Sequence, residues 1–139
     1  MIEALKKYFE GRQDVAFAFL YGSQAWGRAT RMSDVDVAAY FAPRTRHPLE
    51  FEDDVHYDAE DEIWSDLQRL LGKEVELLVL NRAPCGVAAS AIGGIRLSVK
   101  DWALYLEYAE VATRASIDFG EAFVRDYKER NGLEDRSQD

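Results

Sequence analysis

The sequence predicts one α+β domain, and three kinds of segment support this prediction. The run Val15–Tyr21 is continuously apolar, which is typical of a strand that is buried on both faces. The run Val35–Phe41 is mostly apolar and indicates a second strand. Other segments repeat apolar residues three or four positions apart, as amphipathic helices do. A chain of 139 residues can bury one sizeable core but has no room for a second folding unit.

The first predicted element is an N-terminal amphipathic helix, which Gly11 is placed to end. Its apolar residues at helical spacing are Ile2, Leu5 and Phe9. The strand Val15–Tyr21 follows, then a polar loop, Gln24–Ser33, and the strand Val35–Phe41.

An acidic stretch, Glu50–Glu62, begins after two prolines that break regular structure, Pro43 and Pro48. The simpler interpretation is a solvated loop whose last residues begin a helix and favour its positive end. The alternative is a patch that docks a basic partner. The helix is predicted over Asp58–Leu71, with Gly72 as its cap. Its predicted apolar face consists of Ile63, Leu67, Leu70 and Leu71.

The second half of the chain continues with a short apolar strand, Val75–Leu80. The small residues Gly86–Ile92 suggest a short helix, and a Gly-Gly turn leads from it to a weaker strand, Ile95–Val99. Asp101 is placed to cap a last helix, Trp102–Arg130. The apolar and aromatic face of that helix is Tyr105, Tyr108, Ala109, Ala112, Phe119, Phe123 and Tyr127.

Composition limits the class of protein. The net charge of −9 argues against a broad basic surface that grips nucleic acid, but not against one nucleotide bound through a metal. No apolar run is long enough to span a membrane, and the N-terminus does not resemble a signal peptide. The single cysteine, Cys85, fits a reducing cytoplasm, and we expect it to be small and buried rather than a nucleophile. We expect residues 1–132 to form the domain and residues 133–139 to be a disordered tail.

The chemistry of the sequence is concentrated around two aspartates. Because alternate side chains of a strand share a face, Asp34 and Asp36 are expected to project to the same side. Two adjacent carboxylates repel each other unless a cation lies between them, and a hard divalent ion, usually Mg²⁺, is the common remedy. Gly22 and Ser23 end the first strand at a turn whose N–H groups and hydroxyl can face a phosphate. A phosphate cradle with metal-binding carboxylates is the minimum apparatus for phosphoryl or nucleotidyl transfer.

Ten residues separate the Gly-Ser pair from the Asp-x-Asp. This spacing resembles the G-S-x10-D-x-D signature of the DNA polymerase β-type nucleotidyltransferase superfamily. The pattern of the small members of that superfamily is also matched by Ala25, Gly27 and Ser33. Their third-carboxylate strand resembles the segment VELLVLNRAP, and their closing helix is similar to the segment KDWALYLEYAEVATRASIDF. The resemblance is closest to the minimal nucleotidyltransferase (MNT) antitoxins that are paired with HEPN toxins. It implies a polymerase-β-like palm, a small mixed β-sheet backed by helices.

The resemblance also implies roles for individual residues. The catalytic, Mg²⁺-binding carboxylates would be Asp34, Asp36 and Glu76. The nucleotide would contact Gly22, Ser23, Arg28 and Arg31. For the two arginines, an exposed loop position without a ligand is an equally good interpretation.

Two residues depart from the family pattern. Glu76 stands where most members carry aspartate, and its extra methylene could displace a second metal or slow deprotonation of the acceptor. Alternatively, Glu76 lies near the start of an edge strand, with Glu74 on the same face, and simply meets water. Gln24 replaces a common arginine, which removes one candidate phosphate contact.

The implied reaction is transfer of AMP from ATP to an acceptor hydroxyl with release of pyrophosphate. The chain has only one predicted helix after the palm, so we expect the acceptor to arrive on another molecule. The resemblance implies that the acceptor is a HEPN ribonuclease toxin, which is silenced by modification of a tyrosine. The expected assembly is a hetero-oligomer with that toxin or a homodimer. Two alternatives stay open: an antitoxin that acts by stoichiometric binding alone, and a nucleotidyltransferase for a small molecule such as an aminoglycoside.

Three other side chains have simpler interpretations than chemistry. We expect His47 and His56 to be surface residues rather than metal ligands or bases. Trp26, beside the Gly-Ser turn, either stacks on a base or packs against the protein.

Overall fold

A computed structural model of the chain describes residues 1–22, 34–42 and 56–115. Helix α1 spans Ile2–Glu10, strand β1 Val15–Tyr21, strand β2 Val35–Phe41 and helix α2 Ala59–Leu71. Strand β3 spans Val75–Val79, a 3₁₀ turn Leu80–Arg82, helix α3 Cys85–Ile92 and strand β4 Ile95–Val99. A further helix, α4, occupies residues 102–115.

The four strands form one mixed sheet in the order β3-β2-β1-β4. Strand β1 is antiparallel to β2 and β4, whereas β2 and β3 are parallel. Parallel neighbours need a crossover connection, and α2 lies in the segment that joins these two strands. The predicted α+β fold, a small mixed sheet backed by helices, is therefore confirmed.

Helices cover both faces of the sheet, and each face has its own apolar core. The core under α1 and α2 includes Leu5, Phe9, Ala18, Leu20, Val37, Ile63 and Leu67. The core under α3 and α4 includes Phe17, Phe19, Ala38, Tyr40, Ala88, Tyr108 and Ala112. The central position of β1 explains its continuous apolar sequence, because both of its faces are buried.

A β-bulge near the start of β1 decides which side chains enter which core. The pairing of β1 with β2 shifts register between Val15 and Phe17. Ala16 and Phe17 consequently belong to the same core, whereas from Ala18 onward successive residues alternate between the two cores. The alternation that follows the bulge places Tyr21 against the core under α3 and α4.

Two helix boundaries that the sequence predicts are confirmed. Gly72 ends α2 in the left-handed conformation, at φ 63°, and its N–H donates to the Gln68 carbonyl at 2.8 Å. Asp101 caps α4, since its Oδ1 accepts a hydrogen bond from the Leu104 N–H at 3.0 Å.

The structure corrects the predictions for Leu70 and Leu80. Leu70 is 47% exposed. The buried apolar residues of α2 lie four positions apart, and each such step turns about 40° beyond a full turn of the helix. Leu70 therefore lies at the margin of the buried face. Leu80 does not extend β3 but opens the 3₁₀ turn, although its side chain is buried. The turn brings the Asn81 amide to Phe41, where its Oδ1 accepts from the backbone N–H at 2.9 Å and its Nδ2 donates to the carbonyl at 3.0 Å.

Several predictions fall outside the described residues. They are the tail, the last helix beyond residue 115 with Phe119, Phe123 and Tyr127, and most of the acidic stretch. Within the described chain, no helix has both the length and the hydropathy needed to cross a bilayer.

Candidate active site

The parallel pairing of β2 with β3 brings two distant carboxylates together. Asp36 on β2 lies opposite Glu76 on β3 in the register of the sheet. Asp34 is exposed and immediately precedes β2, within electrostatic range of Asp36. Glu76 is also exposed, on a strand at the edge of the described sheet. We call Asp34, Asp36 and Glu76 the carboxylate centre.

Asp36 is the partly buried member of the carboxylate centre. Burial, a hydrogen bond with Glu76, and the negative charges of Glu76 and Asp34 raise the pKa of Asp36 to about 6. Each of these causes disfavours the ionised form. A cation bound here would reverse their effect, because it would favour the carboxylate.

Gly22 allows the backbone to lie against the Asp36 carboxylate. Its φ is 69°, in the left-handed region where side chains are strained. A Cβ at this position would overlap Oδ2 of Asp36, closer than real Cβ atoms approach other atoms. Glycine therefore suits both the turn and the close approach to Asp36, whose carboxylate would have to shift to admit a Cβ.

Tyr21 is a further residue of this region, and the sequence motifs did not indicate a role for it. It pairs with Asp36 in the register of β1 and β2. Burial, then the negative charges of Asp36 and Glu76, raise the pKa of Tyr21 to about 12. The sequence feature that could have indicated Tyr21 as a site residue is its place at the end of a strand, directly before the Gly-Ser pair.

A partly buried ion pair, Glu60 with Arg82, joins α2 to the turn that follows β3. The Glu60 side chain is nearly buried and accepts hydrogen bonds from Arg82 Nη1 at 2.9 Å and Nη2 at 2.5 Å. The Tyr57 backbone N–H donates to Glu60 at 2.7 Å. Burial acts to raise the pKa of Glu60, but Arg82 and the Tyr57 N–H together lower it below its usual range. This pair fixes the start of α2 against the turn that follows β3.

A cavity of about 440 Å³ lies along the edge of the sheet, between α2 and β3. Its walls include Tyr21, Asp61, Trp64 and Glu76, with Glu60 and the β3 residues Val75, Leu77 and Leu78. We call this the edge cavity. Because Glu76 belongs to both, the edge cavity opens directly beside the carboxylate centre.

The structure brings together only part of the predicted site. It describes Gly22, Asp34, Asp36 and Glu76, whereas Ser23, Arg28 and Arg31 lie outside the described residues, as do Gln24, Trp26 and His47. His56 has a 63% exposed side chain with Nδ1 3.3 Å from Glu60, so it is a surface residue as expected. Cys85 is partly exposed rather than buried, because it is the first residue of α3.

The donor chemistry of the carboxylate centre fits a hard divalent cation. Its side chains offer only carboxylate oxygens, the ligands that Mg²⁺ prefers. Burial is the main cause of the raised pKa of Asp36, and the negative charges of Glu76 and Asp34 add to it. Among residues 1–22, 34–42 and 56–115, no three or more His, Cys, Asp or Glu side chains form a group that could hold a metal ion as they stand.

A family model described as "Polymerase beta, Nucleotidyltransferase" matches residues 3–102 of the chain. No curated protein matches the sequence.

Solved structures share the fold at low sequence identity. A chain in the crystal structure of a toxin–antitoxin complex with AMP-PNP is 19% identical, with a TM-score of 0.66; the match covers 90% of this chain and 95% of that chain. A chain in the structure of a tri-AMPylated Shewanella oneidensis HEPN toxin in complex with an MNT antitoxin is 15% identical, with a TM-score of 0.61, and the match covers 91% and 98% of the two chains. A chain of the MntA–HepT toxin–antitoxin structure is also 15% identical, with a TM-score of 0.53 and coverage of 91% and 92%.

Proposed function

Because the chain belongs to the polymerase beta nucleotidyltransferase family, we propose that it transfers AMP from ATP to a hydroxyl of a partner protein and requires Mg²⁺. The observation that carries this proposal is the pairing of Asp36 with Glu76 across β2 and β3, with Asp34 beside them. Carboxylates that lie close together are suited to holding a divalent cation at a nucleoside triphosphate.

The residues of the site would divide the work as follows. Asp34, Asp36 and Glu76 would hold Mg²⁺, which when bound would neutralise charge on the phosphates and on the departing pyrophosphate. The exposed Glu76 carboxylate would also accept the proton of the acceptor hydroxyl. Gly22 keeps the turn against Asp36, and Ser23, Arg28 and Arg31 would hold the triphosphate.

The proposed acceptor is a tyrosine of a HEPN toxin, which the modification would silence. Structures of the same fold include an MNT antitoxin in complex with a tri-AMPylated HEPN toxin, and a toxin–antitoxin complex with AMP-PNP. The net charge of −9 would favour association with a basic, RNA-binding partner. The protein would then act as the antitoxin of such a pair.

The experiment is intact-mass analysis of an all-helical partner encoded beside this protein, after incubation with ATP and Mg²⁺. The wild type should add the mass of one or more AMP groups to the partner, and the Asp34→Asn/Asp36→Asn variant should not. Glu76→Gln should modify the partner less than the wild type does. Glu74→Gln is its matched control, because it neutralises an exposed glutamate two residues away. An unmodified partner with the wild type, or equal modification by the double variant, would refute the proposal.

The alternative is neutralisation by binding alone. The exposure of Glu76 on an edge strand favours this alternative, because such a carboxylate can be satisfied by water without a metal. Under this alternative, Asp34→Asn/Asp36→Asn would still bind the toxin and still protect cells. Under the enzymatic proposal, the double variant would bind the toxin but lose protection.

A further inference from the structure

The edge cavity has an aromatic wall that is both exposed and held in place. Trp64 projects from α2 and is 43% exposed. Its indole Nε1–H donates a 2.8 Å hydrogen bond to the Val75 carbonyl of β3. An exposed aromatic ring that is already ordered contributes contact area at little entropic cost, as the anchors of interfaces do.

The walls of the edge cavity carry more negative than positive charge. Glu60 is paired with Arg82 and so carries little free negative charge. Asp61 and Glu76 are exposed, and neither has a hydrogen bond or ion pair to a basic side chain among the described residues. The cavity therefore combines an aromatic face with two carboxylates, a combination that suits a cationic side chain.

The position of the edge cavity relates it to the proposed reaction. Glu76 lines the cavity and lies opposite Asp36 in the sheet. Tyr21, at the end of β1, also lines the cavity and pairs with Asp36 on the other side. A side chain in the cavity would thus be a near neighbour of a group that reacts at the carboxylate centre. With about 440 Å³, the cavity has room for one long side chain and part of its backbone.

We propose that the edge cavity binds an arginine of the acceptor protein, next to the hydroxyl that receives the nucleotide. The guanidinium would stack on Trp64 and face the carboxylate of Asp61, while Glu76 stays with the carboxylate centre. Arginine suits such a site better than lysine, because its planar group stacks on aromatic rings and is less strongly hydrated. Acceptor specificity would then depend on a basic residue near the target hydroxyl. This inference rests on the proposed function, since it names the substrate feature that the same site recognises.

The direct test needs no catalysis. The indole N–H resonance of Trp64, assigned with Trp64→Phe, is followed while a capped Gly-Arg-Gly-Arg-Gly peptide is added. A saturable shift is expected, with at least about threefold weaker binding of the peptide in which citrulline replaces arginine. Asp61→Asn should weaken binding of the arginine peptide by roughly threefold to fivefold. Asp58→Asn is the matched control: it removes the same charge from the start of the same helix, outside the cavity, and should bind like the wild type.

Three results would overturn the inference. They are the absence of a shift with the arginine peptide, equal binding of the citrulline peptide, and equal binding by Asp61→Asn and the wild type.

A kinetic test separates this inference from the proposed function. Asp61→Lys should raise the KM for the acceptor protein while leaving kcat and the KM for ATP unchanged, because Asp61 lies outside the carboxylate centre. An unchanged acceptor KM would refute the role of the cavity but leave the transferase activity intact. If the wild type modifies no acceptor, the proposed function fails, and the peptide titration still decides whether the cavity binds arginine.

Discussion

Asp36 and Glu76 lie opposite each other on the parallel strands β2 and β3, although 40 positions separate them in the chain. Their proximity, together with burial and the nearby Asp34, raises the pKa of Asp36 to about 6. A site built in this way is electrostatically unfavourable when it is empty and ionised. The same repulsion becomes binding energy for a cation.

We expect Asp36→Asn to stabilise the metal-free protein at neutral pH. The pKa of Asp36 rises from 3.8 in the unfolded chain to about 6 in the folded protein. Between these pH values the folded protein holds a proton on Asp36 that the unfolded chain has lost. The Asp36 contribution to stability is present below pH 3.8 and is lost as the pH rises to about 6. The variant should gain about 1 kcal/mol relative to the wild type above pH 6, since one pKa unit corresponds to about 1.4 kcal/mol and solvent screens part of the effect.

Chemical unfolding with a chelator present, measured across this pH range, tests the prediction. Asp58→Asn serves as the control, because it neutralises an exposed aspartate away from the carboxylate centre. A difference between Asp36→Asn and the wild type that does not change with pH would contradict it.

Stabilisation by Mg²⁺ should increase with pH. At about pH 5 the ion must displace a proton from Asp36, whereas at about pH 7 the carboxylate is already ionised. The rise in Tm on adding Mg²⁺ should therefore be larger at the higher pH. Glu76→Gln should reduce this rise at both pH values, and Glu74→Gln should leave it unchanged. Equal shifts in both glutamine variants would place the cation elsewhere.

Gly22→Ala should destabilise the protein more than a matched substitution elsewhere. Gly72 also has a left-handed backbone, with φ 63°, but a Cβ there meets no atom within 4 Å. Gly72→Ala should therefore cost only the backbone term, about 1 kcal/mol. Gly22→Ala should cost at least about 1 kcal/mol more, because its Cβ also overlaps the Asp36 carboxylate.

A double-mutant cycle isolates this overlap. In an Asp36→Ala background, Gly22→Ala should cost about as much as Gly72→Ala, since the overlapping carboxylate is gone. An undiminished cost in that background would show that the overlap with Asp36 is not the cause.

Arg82→Ala should destabilise the protein by about 3 kcal/mol at neutral pH, because it leaves the buried Glu60 carboxylate without its guanidinium partner. In the wild type the pKa of Glu60 is lowered, so its stabilising effect is present above pH 4.5 and is lost as the pH falls. The difference between the two proteins should therefore shrink in acid. Arg69→Ala, which removes an exposed partner of Asp66, should cost less than about 1 kcal/mol. Urea unfolding of both variants tests the contrast, and equal losses would contradict it.

The sequence by itself determined the fold class, most strand and helix positions, and the residue types of the carboxylate centre. These features depend on local patterns: apolar runs, helical spacing, and the separation of the Gly-Ser pair from the two aspartates. Gly72 and Asp101 were recognisable as caps for the same reason, since a cap acts within one turn of its helix.

The tertiary structure alone decided which distant residues meet. The register of β2 with β3 places Asp36 opposite Glu76, and the packing of α2 against β3 orders Trp64 in the wall of the edge cavity. The exposure of Leu70 and Cys85 was also beyond the reach of periodicity, because it depends on where each helix lies over the sheet. Strand order, register and helix placement are set by contacts between residues far apart in the chain, which a local pattern does not specify.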